Sequence, residues 1–112
     1  MIVAVIGSRN SRSATLELIL QHLPARCSAM VSGGAIGVDT LAREAAAARG
    51  LPFTEFLPDY ESLGARAPLA RNIKMIEHAD MVLAFWDYKS RGTAFTIKEC
   101  LARNIPVQII RI

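Results

Sequence analysis

The sequence predicts an α/β protein with a Rossmann-like, doubly wound parallel sheet of five strands in the order 3-2-1-4-5, built as a three-layer sandwich. Two observations predict this class. Short, continuous apolar runs alternate along the chain with amphipathic helical patterns. Continuous apolar strands are typical of a parallel sheet whose two faces are both covered by helices. Because crossovers between parallel strands are right-handed, the alternation favours the doubly wound arrangement.

The first half of the chain contains three predicted strands and two predicted helices. The strands cover residues 2–6, 27–31 and 52–57. The apolar stripe of the first helix consists of Leu16, Ile19, Leu20 and Leu23. Ser13 is expected to cap the start of this helix and Pro24 to end it. The second helix, over residues 36–49, is rich in alanine, so it should pack close to the sheet, and Gly50 should end it.

The second half contains the remaining two helices and two strands. Residues 59–67 are expected to be irregular, and Pro68 then occupies the first turn of a helix. The buried stripe of that helix consists of Leu69, Ile73 and Ile76. The apolar run Met81–Trp86 predicts the fourth strand, and a polar loop follows over residues 87–92. The last helix is marked by Ala94, Ile97 and Leu101, and residues 106–112 predict the fifth strand.

The composition fits one domain that covers residues 1–112 and has one core. No apolar run approaches the roughly 20 residues that span a bilayer, so no membrane association is expected. The apolar start lacks a preceding basic segment, which argues against a signal peptide. Cys27 and Cys100 lie far apart without metal-type spacing, and they are interpreted as reduced, buried thiols of a cytoplasmic protein without a metal site.

Glycine-containing loops follow the first, second and fourth predicted strands. They read GSRN at residues 7–10, SGGAIGVD at residues 32–39 and KSRGT at residues 89–93. In a doubly wound sheet these loops meet outside the carboxyl ends of the strands, where the strand order reverses. Glycine allows the backbone to approach a ligand closely, and helix N-termini bind phosphate. The loops therefore predict a site for a phosphate-bearing ligand, although glycine also serves turns and helix packing alone.

Together with ARNIKMIEHADMVLAFW and RGTAFT, these loops resemble the YspA-type (YpsA-related) branch of the SLOG superfamily. That superfamily includes the LOG nucleotide hydrolases and the Rossmann domain of DNA-processing protein A (Smf). The resemblance covers nearly the whole chain. It implies a Rossmann-like fold and a nucleotide-type small-molecule ligand related to AMP, ADP-ribose or NAD, with no required cofactor. It implies a site formed by Gly7, Ser8, Arg9, Ser32, Gly33, Gly34, Gly37, Asp39, Tyr60, Arg71, Asn72, Gly92 and Thr93.

One departure from the LOG pattern affects the expected activity. The LOG hydrolases carry PGGxGTxxE, and Thr96 stands at the position of that glutamate. A threonine cannot act as a general base at neutral pH or stabilise an oxocarbenium ion. Asp39 and Glu99 are the nearest other carboxylates, but Asp39 is expected to cap its helix and Glu99 to lie at the surface.

The leading hypothesis is therefore a binding module, a sensor or carrier of a nucleotide-derived ligand. Phosphoribohydrolase or N-glycosidase activity on nucleoside monophosphates is the first alternative. Single-stranded DNA binding, as in DNA-processing protein A, is the second; a net charge of only +3 and few aromatic residues do not favour nucleic acid. The hydrophobic fraction of 52% is high for so small a domain, so a homo-oligomer, a dimer or larger, is expected.

Overall fold

The structure is a computed structural model that describes residues 1–8, 14, 16–34 and 37–112. Within them, five strands form one sheet in the order β3-β2-β1-β4-β5. The strands are β1 (Ile2–Gly7), β2 (Ala29–Ser32), β3 (Phe53–Glu55), β4 (Met81–Trp86) and β5 (Val107–Arg111). All neighbouring strands run parallel. The predicted fold class and strand order are therefore confirmed.

Helices cover both faces of the sheet. They are α1 (Leu16–His22), α2 (Val38–Arg49), α3 (Tyr60–Leu63), α4 (Ala67–His78) and α5 (Arg91–Ala102). Helices α1 and α2 pack on one face, against a cluster that includes Val3 and Val5. Helices α4 and α5 pack on the other face, against Ala4 and Ile6. Successive residues of β1 thus point to opposite cores, which explains why the strand is apolar at every position.

The predicted helix boundaries are close to the observed ones. Helix α2 begins at Val38, directly after Gly37, whose φ is 93°. Gly50 ends this helix in the left-handed conformation, as predicted, and its N–H bonds the carbonyls of the last turn. Pro68 lies in the first turn of α4, also as predicted. The predicted cap Ser13 lies outside the described residues.

Strands β2, β3 and β5 have fewer residues than predicted. The prediction placed the start of β2 at residue 27, but the N–H of Cys27 bonds the carbonyl oxygen of Pro24 in a turn. Strand β3, at the edge of the sheet, has only three residues instead of six. A run of apolar residues marks burial, whereas a strand also requires a partner for its backbone groups, so the two need not end together.

The prediction that residues 59–67 are irregular is wrong. The segment contains α3 and a 3₁₀ turn, Gly64–Arg66, which leads into α4. The side chain of Asp59 accepts a hydrogen bond from the N–H of Ser62 at 3.2 Å and so caps α3. A helix of one turn is too short to show the apolar periodicity from which longer helices are predicted.

Both cysteines are buried and unpaired with each other. Burial raises the pKa of the Cys100 thiol to about 11, and the negative charge of Glu99 adds to the shift. Glu99 itself lies partly buried and pairs with Arg103 at 3.1 Å, so it does not reach the carboxyl ends of the strands. In the described part of the chain, no helix has the length and apolarity needed to cross a bilayer.

Candidate functional site

A cleft of about 390 Å³ opens at the carboxyl ends of the strands, beside the point between β1 and β4 where the strand order reverses. Its lining consists of Ile6, Gly7, Ser8, Gly33, Asp39, Pro68, Arg71, Asn72, Met75, Asp87, Ser90, Arg91, Gly92 and Thr93. The cleft therefore lies where a doubly wound sheet is expected to bind a ligand, and its volume is in the range of small-molecule sites.

The structure brings most of the predicted site residues together in this cleft. Those that line it are Gly7, Ser8, Gly33, Asp39, Arg71, Asn72, Gly92 and Thr93. Ser32 lies just behind the lining, with its Oγ 2.5 Å from Asp39 Oδ1 and 2.8 Å from the carbonyl oxygen of Val5. Arg9 lies outside the described residues. That the assembled residues contact a ligand remains a prediction.

Besides Ser32, three of the predicted residues lie outside the cleft lining. Gly34 has a φ of +78°, and a Cβ there would lie 2.6 Å from the carboxylate of Glu55. Gly37 supplies the positive φ that precedes α2. Tyr60 is the first residue of α3, with 58% of its surface exposed. The two glycines thus allow a backbone conformation that other residues rarely adopt, and the tyrosine lies exposed at the surface.

Arg71 forms one wall of the cleft and ties three segments together. Its Nη1 donates hydrogen bonds to the carbonyl oxygens of Gly33 and Phe56, and its Nε donates to Asn72 Oδ1 at 2.7 Å. A side chain at Gly33 would displace this guanidinium, since a Cβ there would lie 2.8 Å from Arg71 Nη1. The arginine thus fixes the loop after β2 against α4 and brings a positive charge to the cleft wall.

Thr96 continues the same network behind the cleft. It is fully buried, and its Oγ1 accepts a hydrogen bond from Asn72 Nδ2 and donates one to the carbonyl oxygen of Gly92, each at 2.9 Å. Asn72 in turn accepts from Arg71. The threonine at the position of the LOG glutamate is therefore a structural link between α5 and the cleft arginine.

We expect Thr96→Val to lower the free energy of unfolding by about 1–3 kcal/mol, because it leaves the Asn72 amide without its buried acceptor. Thr96→Ser keeps the hydroxyl and should cost clearly less. Chemical denaturation of the two variants measures the difference. An unchanged stability of Thr96→Val would contradict the role of the hydrogen bonds, and equal losses would mean that the methyl group contributes as much as they do.

The hydroxyls of two predicted site residues, Ser8 and Ser32, form hydrogen bonds within the protein. Ser8 Oγ accepts from the N–H of Asp87 at 3.1 Å, and Ser32 Oγ is engaged with Asp39. The carboxylate of Asp87 accepts from the N–H groups of Ser90 and Lys89, and these bonds lower its pKa to about 2. The hydroxyl of Thr93 has no hydrogen-bond partner among the described residues, so it remains available at the cleft surface.

The helix N-termini at the cleft differ in charge. Helix α2 carries Asp39 in its first turn, so its own carboxylate already neutralises the positive end of the dipole. Helix α5 has no acidic residue in its first turn and begins with Arg91. A Cβ at Gly92 would meet nothing within 4 Å, so the start of α5 faces open space. Of the two first turns, only that of α2 contains an acidic residue, while the carboxylate of Asp87 bonds the N–H of Ser90 directly before α5.

Sequence reasoning did not assign six of the lining residues. Ile6, Pro68 and Met75 are apolar lining residues; Ile6 is predicted in the first strand and Pro68 in the first turn of a helix, whereas the sequence assigns Met75 no role. Asp87, Ser90 and Arg91 belong to the polar loop after β4 and the first turn of α5. A basic residue at a helix N-terminus opposes the helix dipole, and this signal could have identified Arg91 from the sequence.

The fold and the cleft define the class of this protein: a Rossmann-like domain with a polar cleft at its switch point. The family model described as DNA recombination-mediator protein A matches residues 1–104. The chain belongs to this family. The resemblance to DNA-processing protein A is therefore confirmed at the level of the family.

Solved structures of the same fold include two DNA processing proteins A. The protein from Helicobacter pylori, described for its single-stranded DNA binding mode, is 24% identical with a TM-score of 0.75; the match covers 97% of this chain and 64% of that chain. The protein from Streptococcus pneumoniae is 21% identical with a TM-score of 0.78, and the match covers 96% of this chain and 49% of that one. This chain thus spans about half to two thirds of the matched chains. A comparison with curated proteins finds no match.

Proposed function

We propose that this domain binds single-stranded DNA, with a backbone phosphate held in the cleft at the start of α5. The observation that carries the proposal is the open N-terminus of α5, which combines Arg91 with a first turn free of acidic residues. A cation at this end costs helix stability, and an anionic ligand would offset that cost.

The groups around this point fit one phosphate of a strand. The hydroxyl of Thr93 and the N–H groups of the first turn supply uncharged donors. Arg91 is exposed at the rim, and Arg71 also lines the cleft and contributes positive charge. Asp39 lines the cleft in the first turn of α2, where its negative charge disfavours an anion. Asp87 lies just before α5 and bonds the N–H groups of Lys89 and Ser90, so the phosphate would contact the N–H groups that follow Ser90. The net charge of +3 favours a polyanion only weakly, so the cleft must supply the attraction locally.

Family membership supports a DNA strand over a free nucleotide, which the sequence alone had ranked first. The family is described as a DNA recombination mediator, and the related H. pylori protein is described by its binding of single-stranded DNA. The cytoplasm is the location we propose for this role. An open cleft, in contrast to an enclosed pocket, lets a chain enter and leave it.

The test is titration of a labelled single-stranded oligonucleotide, followed by fluorescence anisotropy at several salt concentrations. We expect Arg91→Gln to weaken binding for all sequences alike and to reduce the slope of log K against log salt by about 0.7, the value for one phosphate contact on a single strand.

Arg49→Gln is the matched control. Arg49 lies in the last turn of α2, at the opposite end of that helix from the cleft, and its Nη2 bonds the carbonyl of Pro24. The Arg49→Gln variant should have the same affinity for the oligonucleotide and the same slope of log K against log salt as the unaltered protein. Equal losses in the two variants would mean that overall charge, and not this cleft, attracts the DNA.

A free nucleotide related to AMP, ADP-ribose or NAD is the second candidate, as the finer resemblance to the YspA-type and LOG branches implies. The specific observation in its favour is the cleft volume of about 390 Å³, which suits a compact ligand. Competition of each nucleotide against the labelled oligonucleotide distinguishes the candidates. Release of free base from a nucleoside monophosphate would indicate the hydrolase alternative, although Thr96 is buried and occupied by structural bonds.

We also keep the proposal of a homo-oligomer. Leu101 on α5 and Ile109 on the edge strand β5 are 65% and 42% exposed, and burial against another copy would remove this apolar surface from water. Light scattering across a concentration series tests whether the domain associates.

A further inference from the structure

An aromatic pair stands at the rim of the cleft. Tyr88 lies in the loop between Asp87 and Ser90, both of which line the cleft. Its ring stacks on that of Trp86, with the centroids 4.4 Å apart and the planes inclined by 27°. About half of the Tyr88 surface, 53%, remains exposed. A large ring is therefore presented to solvent beside the site where the phosphate is proposed to bind.

The loop holds this ring in place by a set of hydrogen bonds. The carboxylate of Asp87 accepts from the N–H groups of Lys89 and Ser90, each at 2.8 Å. Trp86 Nε1 donates to the carbonyl oxygen of Ser90 at 3.1 Å. The ring on which Tyr88 rests is thus held by hydrogen bonds within the protein.

The backbone of Tyr88 is itself unusual. Its φ is 64°, in the left-handed region that bulky side chains rarely adopt. Glycine or asparagine would occupy this position with less strain. A bulky residue in such a conformation costs stability, and residues of this kind concentrate at binding sites.

We propose that Tyr88 is a stacking platform for a nucleobase of the bound strand, next to the nucleotide whose phosphate lies at α5. This inference rests on the proposed function. Aromatic side chains stack on any base, which suits binding without sequence preference. The guanidinium of Arg111 lies 5.3 Å from the centre of the Tyr88 ring and adds positive charge at the same place. Tyr60, the tyrosine that the family resemblance includes in the site, lies on α3 and is not among the residues that line the cleft.

The experiment compares two oligonucleotides of equal length, one of thymidine and one of abasic sites, so that the phosphates are matched and only the bases differ. Tyr88→Leu keeps an apolar side chain without a π face. We expect it to weaken thymidine binding by about 5- to 150-fold and to leave abasic binding unchanged. Tyr60→Leu, the matched control, should change neither.

A spectroscopic readout accompanies the titrations. Trp86 is the one tryptophan of the sequence and contacts Tyr88, so its fluorescence reports directly on the platform. We expect the thymidine strand to change this fluorescence and the abasic strand to leave it nearly unchanged.

Each outcome decides a separate question. If Tyr88→Leu lowers the affinity for both oligonucleotides equally, or for neither, Tyr88 is not a stacking platform. The proposal that the domain binds DNA is not affected by that result. If the unaltered protein binds neither oligonucleotide, the proposed function itself fails, and the platform fails with it.

Discussion

Replacing Gly7 with alanine is expected to lower the free energy of unfolding by about 1–3 kcal/mol. A Cβ at this position would lie 2.6 Å from Val38 Cγ2 and 2.8 Å from the carbonyl oxygen of Phe85. Neither neighbour moves easily, because Val38 begins α2 in the core and the carbonyl of Phe85 belongs to the backbone of the interior strand β4. The close approach of α2 to the end of β1 thus depends on the missing side chain.

Chemical denaturation measures this loss, and Gly92→Ala is its matched control. The chemical change is the same, but a Cβ at Gly92 meets nothing within 4 Å and lies in the first turn of α5. Its free energy of unfolding should stay unchanged or rise by up to about 1 kcal/mol, since alanine favours a helix over glycine. Similar behaviour of the two variants would contradict the packing role assigned to Gly7.

Replacing Arg71 with glutamine is expected to weaken single-stranded DNA binding by at least about tenfold and to destabilise the domain by about 1–3 kcal/mol. The guanidinium supplies both effects. It bonds the carbonyl oxygens of Gly33 and Phe56, which lose their donor, and it carries positive charge at the cleft wall. Anisotropy titration at a temperature where both proteins are folded separates the affinity from the stability.

Thr96→Val provides the comparison for this variant, because it perturbs the same network through Asn72 without removing a charge. We expect it to lose stability to a similar extent but to lose much less affinity. If Arg71→Gln binds DNA as tightly as the unaltered protein, the arginine only holds the loops, and the phosphate is bound by other groups.

Much of the fold could be predicted because the pattern of apolar residues indicates where strands and helices lie. Strand β4 was predicted with its observed ends, since six successive apolar residues can be buried only on both faces of a sheet. Gly50 and Pro68 marked helix ends because each has a backbone preference that is independent of its surroundings. Helix α3 was not predicted because a single turn is too short to show a repeating pattern of apolar residues. Its start is capped by the side chain of Asp59, which accepts a hydrogen bond from the N–H of Ser62.

The convergence of the loops was also available from the sequence. Parallel strands place their carboxyl ends at one edge, so the residues after β1, β2 and β4 had to meet there once the strand order was predicted. This is why Gly7, Ser8, Gly33, Asp39, Gly92 and Thr93 line the observed cleft, whereas Arg71 and Asn72 lie on α4 and were implied by the family resemblance. Whether they bind a ligand is a separate question that the variants above address.

The sequence by itself thus determined the sheet order and the edge at which the cleft forms, because both follow from local apolar patterns and from the chirality of the chain. Only the tertiary structure decided how the cleft groups are used. Ser8 and Thr96 are committed to Asp87 and Asn72, whereas Thr93 remains available at the cleft surface among the described residues. It also showed that Tyr88 directly follows the cleft-lining Asp87, whereas neither chain neighbour of Tyr60 lines the cleft. Such hydrogen bonds and ring contacts join residues far apart in the chain, so no local pattern encodes them.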